Sequence, residues 1–302
     1  MLYHKDQIEQ GVREGPEQPV GARGLGDQAR REDAAEHALH VRVHEGGERI
    51  PLTVADSDAE SGTITLIVQI VGATTERLCS LSTGDSIANL AGPLGRPTEI
   101  ENFRHAVLVG GGVGTAVIYP QAAELQKVGN RVTAVIGGRS REYVILEKEL
   151  SAHCHRVYPC TDDGSYGYHG FVTAKLKDVI EECGDIGVVL TAGPVPMMRA
   201  VAGVTRPLGI KTIASLNPVM VDGTGMCGGC RVTVGGEMKF ACVDGPEFDA
   251  RTVDFAELTG PLTTYREQEA LAWNRLHELT ERSDVTASRC KMRELEEAAV
   301  SK

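Results

Sequence analysis

Between Ala106 and Leu216, short apolar runs and helical stretches follow one another in strict turn, a pattern that leaves a chain few ways to fold. The apolar runs are Ala106–Val109, Val132–Ile136, Val157–Cys160, Val188–Thr191 and Thr212–Leu216. Between them, helices are predicted over Thr115–Lys127, Glu142–Leu150 and Phe171–Glu182, and after Pro196. Strand and helix in alternation mean a doubly wound parallel sheet, so this stretch is α/β.

The first of these strands runs straight into Gly110-Gly111-Gly112-Val113-Gly114 and then a helix. That order lets backbone amides at a helix start approach a pyrophosphate, which makes Gly110, Gly111, Gly112 and Gly114 candidate dinucleotide contacts. The usual acid at the end of the second strand is missing. Its place is taken by Gly137-Gly138-Arg139-Ser140-Arg141, so a standard dehydrogenase is not expected. Arg139 and Arg141 suit a 2′-phosphate and thus NADP; two arginines kept on a loop for solubility would look the same. Two further loops leave strand ends at the edge where open α/β sheets place ligands. They carry Asp162, Asp163 and Gly164, and Gly193, Pro194 and Met197. Both suit the wall of a nicotinamide site, and both also read as ordinary strand-to-helix turns.

Ahead of the sheet the texture differs. Residues 1–40 are charged and Gln-rich with no sustained periodicity, and are expected to be poorly ordered. From Val41, alternating residues and the β-branched run Thr63–Val71, bounded by glycines, suggest a small antiparallel barrel over residues 41–101. Arg49-Ile50-Pro51-Leu52-Thr53, the strand end Gln69 and the turn Gly72-Ala73-Thr74-Thr75 bring a cation, hydroxyls and open backbone to its edge. Those features suit a flavin diphosphate, although a surface arginine beside a turn accounts for them equally. The dinucleotide unit then spans 102–216 and a cysteine-rich segment 217–250, followed at 251–302 by a predicted amphipathic helix, Phe255–Leu279, and a charged tail.

Of eight cysteines, Cys227, Cys230 and Cys242 crowd together, while the other five are scattered and read as small core or surface residues. In Asp222-x4-Cys227-x2-Cys230, with Cys242 after eleven intervening residues, the spacing is that of a plant-type 2Fe-2S site with aspartate in the first position. Glycines at 223, 225, 228 and 229 leave room for amides to point at bridging sulfides. A structural zinc would tolerate Cys3Asp, but the glycine-rich wrap and the spacing favour the cluster; a disulfide ranks third.

At 302 residues, and roughly 150 per domain, two or three modules are expected. The formal charge of −11 speaks against nucleic acid and anionic lipid as partners. No stretch reaches about 18 uninterrupted apolar residues, and Met1–Arg31 lacks a secretory signal's apolar core, so neither a membrane span nor export is expected and the cytoplasm is.

With barrel, dinucleotide sheet and cluster in that order, residues 41–280 resemble the ferredoxin reductase-like electron-transfer subunits, including that of dihydroorotate dehydrogenase. Within that group, Ser215–Cys230 and Phe240–Phe248 resemble the small subunits of NADH-dependent reduced ferredoxin:NADP oxidoreductases, also described as sulfide dehydrogenases. The resemblance implies FAD near Ile50, Pro51, Leu52, Thr53, Ile67, Val68, Gln69, Thr74 and Thr75, with Thr53 close to the flavin ring. It further implies a 2Fe-2S cluster on Asp222, Cys227, Cys230 and Cys242, and NAD(H) as substrate. The implied partner is a larger iron-sulfur flavoprotein subunit that reaches ferredoxin and NADP. Residues 1–40 depart from the family by lacking its Pro-Gly-Gln-Phe turn, and Val117 stands where proline is usual. An electron-transfer subunit of dihydroorotate dehydrogenase is the alternative; an aspartate in place of cysteine at 222 argues against it.

Overall fold

A computed structural model describes residues 38–58, 61–260 and 264–278, so the expectations for residues 1–37, for Cys290 and for the tail from Leu279 lie outside the described residues. Strands β1 (Ala38–Arg42), β2 (Arg49–Asp58), β3 (Thr63–Leu66) and β4 (Asn89–Leu94) form an antiparallel sheet ordered β3-β2-β1-β4, with helix α1 (Ala73–Cys79) between β3 and β4. These are the strands expected of the antiparallel flavin-type unit. β1 begins at Ala38 rather than Val41, because Ala38–Val41 are buried on both faces and so show no alternation. The run Thr63–Val71 is a strand only to Leu66, whose pairing with Val54, across a register shift between Val54 and Asp56, is the last with β2. Ile67, Val68 and Gln69 thus leave the ladder, and Val68 buries its side chain with Val41, Val43 and Leu78.

The second sheet is built from β5 (His105–Gly111), α2 (Thr115–Lys127), β6 (Arg131–Gly138), α3 (Glu147–Ser151), β7 (Arg156–Thr161), β8 (Tyr168–His169), α4 (Val172–Cys183), β9 (Val188–Ala192), α5 (Val195–Thr205) and β10 (Lys211–Ser215). Each strand feeds one side chain up and the next down. Ala106 and Leu108 pack under Ile118, Ala122 and Leu125 of α2, whereas Val107 and Val109 face Val172, Leu176 and Val179 of α4. Burial on both faces is what a parallel sheet requires. After β10 come the hairpin β11 (Arg231–Val234) and β12 (Glu237–Phe240), a short turn α6 (Ala241–Asp244), and β13 (Glu247–Asp249). β13 returns antiparallel to β10, giving the order β13-β10-β9-β5-β6-β7-β8.

Two predicted helices break. Glu142–Leu150 becomes a 3-10 turn at Arg141–Tyr143 and the short α3, because Leu146 takes a left-handed φ of 58° that no α-helix continues through. Phe255–Leu279 becomes α7 (Phe255–Thr259), capped by Asp254, and α8 over residues 266–278. Gly260 itself keeps helical dihedrals, with φ −62° and ψ −57°, but Pro261 follows it and has no N–H with which to continue the helix. α8 reaches back to the first sheet, where His277 Nε2 lies 3.1 Å from Glu76 of α1 and stacks on Trp273 at 4.8 Å between ring centroids.

His105, at the start of β5, is almost fully buried and bonds Thr133 Oγ1 at 3.0 Å. Burial first, and then the Arg131 charge, lower its pKa below the ordinary 6.5. The unfolded chain therefore takes up a proton before the folded one does. Stability should be flat above about pH 6.5 and fall below it, at up to about 1.4 kcal/mol per pH unit for one proton. Thermal melts of the wild type and His105→Gln over that window check this: the variant should show the shallower pH slope, and equal slopes would refute it.

Candidate nucleotide crevice and cluster site

Strand order in the large sheet reverses between β5 and β9, and the crevice at such a switch point is where open α/β sheets hold ligands. Glycine lines both sides of it. A Cβ on Gly114 would collide with the Ala192 carbonyl and stand 2.7 Å from Gly193 Cα. One on Gly111 would run into Met197 Sδ and lie 3.1 Å from Pro194 Cδ. Gly112 adopts a φ of 55° and Gly193 one of 147°, and the loop after β5 and the loop after β9 pack closely against each other. Gly110 and Gly111 close β5 within its ladder, and Gly112 to Gly114 carry the backbone to the start of α2, where a pyrophosphate would meet helix-end amides.

The other dinucleotide candidates sit on the loops that follow β6 and β7. Asp162 N–H donates to the Gly138 carbonyl at 3.2 Å and Asp163 N–H to that of Arg139 at 3.1 Å. Arg141 N–H donates to Ser165 Oγ at 2.9 Å, and its guanidinium sits 5.1 Å from the centre of the Tyr166 ring. The Tyr166 hydroxyl in turn donates to Glu147. Asp162 and Asp163 thus brace the loop of Arg139 at the ends of β6 and β7. Gly193, Pro194 and Met197 stand at the switch point itself. The Tyr166–Glu147 pair had no sequence signal, because its partners are nineteen residues apart on separate elements.

On the antiparallel sheet, Arg49, Ile50, Pro51, Leu52 and Thr53 form the first half of β2, with Arg49 exposed and the other four half-buried. Thr75 Oγ1 accepts from Val71 N at 2.9 Å and Gly72 N at 3.0 Å and donates to the Gly72 carbonyl at 2.8 Å. Thr74 Oγ1 donates to Glu48 at 3.0 Å. A side chain at Gly72 would meet nothing within 4 Å, so the turn is open on that side.

The cysteine-rich segment gathers part of its set. Cys230 and Cys242 are 1% and 3% exposed, with their sulfurs 3.2 Å apart in a nest of Met220, Ala241, Phe240 and Phe248. Cys242 N–H also points at Cys230 Sγ, 3.4 Å away. Burial, and then the neighbouring Cys230 thiol, push the Cys242 thiol up to about 12. Cys227 is exposed and accepts from Gly229 N–H at 3.4 Å, while Asp222 accepts from the Thr224 hydroxyl. Among the described residues no three His, Cys, Asp or Glu side chains converge on one point, as a tetrahedral zinc would ask, and the described cysteines are free of disulfides. A dinuclear centre divides its ligands between two irons. In such a centre the Cys230–Cys242 couple would suit one iron, and Asp222 and Cys227 would remain for the other. Gly223, Gly225 and Gly228 all hold positive φ, a wrap that only glycine takes without strain. Cys154 and Cys160 are pushed up to about 12 by burial, which fits inert packing thiols.

An antiparallel flavin-type sheet, a glycine-lined nicotinamide sheet and a C-terminal thiol nest define an electron-transfer flavoprotein of ferredoxin reductase-like fold, the subunit of an oxidoreductase. Residues 217–254 match the family model described as the iron-sulfur cluster binding domain of dihydroorotate dehydrogenase B. The chain is 47% identical over 235 residues, 78% of its length and 83% of the relative's, to a dihydroorotate dehydrogenase B (NAD(+)) electron transfer subunit homolog of Thermotoga maritima. It is 35% identical over 221 residues, 70% of its length and 82% of the relative's, to the dihydroorotate dehydrogenase B (NAD(+)) electron transfer subunit of Shouchella clausii. Among solved structures, one of the NADH-dependent reduced ferredoxin-NADP oxidoreductase, described for flavin-based electron bifurcation, superposes with a TM-score of 0.77 at 43% identity, covering 83% of this chain and 90% of that one. The chain belongs to the family of dihydroorotate dehydrogenase B electron transfer subunits and their homologues.

Proposed function

We propose that the chain carries electrons between NAD(H), FAD and a 2Fe-2S cluster, to or from a larger iron-sulfur flavoprotein subunit that handles ferredoxin and NADP. The observation that carries this reading is the buried Cys230–Cys242 thiol pair, set in a glycine wrap on a chain that also has a glycine-only crevice at its switch point. When bound, flavin and cluster supply the conversion between a hydride pair and single electrons.

The chain's own residues position the groups. Amides from Gly110 to Gly114 receive the pyrophosphate, and Gly193, Pro194 and Met197 shape the crevice beside them. Arg139, on the loop after β6, would meet the adenosine end, where it suits a 2′-phosphate and thus NADP. Ile50 to Thr53, Ile67 to Gln69, and Gly72, Thr74 and Thr75 hold the flavin. Asp222, Cys227, Cys230 and Cys242 hold the cluster. No acid or base is required of them, because hydride transfer depends on holding two carbon and nitrogen centres close and aligned. No described helix is long and apolar enough to cross a membrane. We place the complex in the cytoplasm.

Anaerobic reconstitution with FAD, iron and sulfide tests this directly. Flavin absorbance, an iron-sulfur EPR signal after reduction, and bleaching of the flavin by NADH are expected; a colourless, EPR-silent protein would remove the proposal. The family membership favours a second reading, service to a dihydroorotate dehydrogenase. Pull-down from native cells separates the two, since a catalytic dihydroorotate-oxidising barrel would co-purify in that case and an amidotransferase-like iron-sulfur flavoprotein in ours.

A further inference from the structure

Three consecutive residues at the end of β4 touch both ends of the cluster motif. Leu94 packs on Gly223, next to Asp222: a Cβ there would lie 3.0 Å from Leu94 Cδ1 and 2.9 Å from His40 Cε1 of β1. Gly95, at a φ of 79°, lies against the loop that follows Cys242; a Cβ on it would overlap the Gly245 carbonyl oxygen and sit 3.2 Å from Pro246 Cδ. Arg96 N–H donates to that same carbonyl at 2.6 Å. The Arg96 guanidinium, 3.8 Å from Asp244, is largely exposed and adds little. Backbone, not charge, makes this contact. The far side of the loop is fixed too, because Leu216 N–H donates to the Pro246 carbonyl at 2.9 Å and β13 pairs with β10.

Of the groups facing the motif from the antiparallel sheet, His40 stands out. It is 1% exposed, and neither ring nitrogen has a hydrogen-bond partner among the described residues. It lies in β1, opposite Pro51 of the proposed flavin strand. A single wall therefore has flavin candidates on one strand and the cluster motif against the next two. A rigid contact of this kind transmits order from one bound group to the other, and such coupling is reciprocal.

We infer that residues 94–96 form a fixed junction through which flavin and cluster occupancy stabilise each other, with Gly95 as its positioning residue. This rests on the proposed function in requiring that both groups bind. Gly95 touches neither group; it allows the close approach of two backbones, which sets the separation of the flavin strand from the cluster loop.

Hydrogen exchange on the full chain, read by peptide in the apo, FAD-loaded, cluster-loaded and doubly loaded states, tests the junction without a variant. Cluster loading should slow exchange in residues 89–96, and FAD loading should slow it in residues 241–246. In Gly95→Ala both groups should still bind, by flavin absorbance and iron content. Their cross-protection should vanish, and flavin-to-cluster electron transfer should slow by roughly tenfold or more, as ångström-scale misplacement does. Arg96→Ala, which keeps the backbone bond, should behave as wild type. Protection confined to each group's own segment overturns the junction while leaving the functional proposal intact; a chain that takes up no iron overturns both. Should Gly95→Ala not fold, the wild-type exchange pattern decides alone.

Discussion

Cys230→Ala should strip the chain of iron while leaving its flavin in place. The thiol is buried against Cys242 in an apolar nest, so neither water nor a neighbouring donor can replace it. Outer-shell changes alone commonly weaken metal sites by about 10–100-fold, and loss of a ligand at a closed position should exceed that. Iron analysis after anaerobic reconstitution should read near background, with the reduced-cluster EPR signal gone and FAD stoichiometry unchanged. Cys242→Ala should match it. Cys227→Ala should be milder in iron retention, because Cys227 is exposed and solvent can take the open position. Full iron content and undiminished electron delivery in Cys230→Ala would defeat the cluster assignment.

Gly114→Ala should weaken NADH binding by about tenfold or more, the equivalent of about 1.4 kcal/mol. Its new methyl has no room: the Ala192 carbonyl carbon stands 2.6 Å away and Gly193 Cα 2.7 Å, both backbone atoms of the opposing loop. The loops at the switch point must part, and the amides that should meet the pyrophosphate move with them. Gly111→Ala makes a useful comparison. Its methyl chiefly meets Met197 Sδ, and a thioether side chain can rotate away, so the loss should be smaller. Calorimetric titration with NADH, with FAD and iron content as controls, measures both. Equal, wild-type affinities would mean that the nucleotide lies elsewhere.

The alternation from Ala106 onward made the large sheet legible. The predicted helix at Thr115–Lys127 has the observed bounds, and the five predicted strands fall inside β5, β6, β7 and β9 and on β10, which ends at Ser215, one residue before Leu216. What escaped was decided by single dihedrals or by partners remote in sequence. Nothing in Glu142–Leu150 announces that Leu146 turns left-handed. The β-branched run to Val71 has strand propensity throughout, yet propensity names no partner, and β2 offers one only as far as Leu66. Cluster spacing could be read from Asp222 to Cys242 because its ligands are local. The supports behind it, His40 and residues 94–96, lie well over a hundred residues upstream and carry no motif of their own.

Among the described residues the buried His40 ring has no hydrogen-bond partner, and an imidazole left so costs about 1–3 kcal/mol. A leucine there should raise the melting temperature of the cofactor-free chain, and a lower one would show that the ring is satisfied.

The short strand β13 has a further consequence. The large sheet ends on one flank in the two residues of β8 and on the other in the three residues Glu247–Asp249. That second flank is shut by a strand that begins five residues after Cys242, the last of the proposed cluster ligands. Protein starved of metal should fray there first and bare β10 to pairing with another molecule. A cluster-free preparation should then self-associate more readily than a reconstituted one, which sedimentation of the two would show.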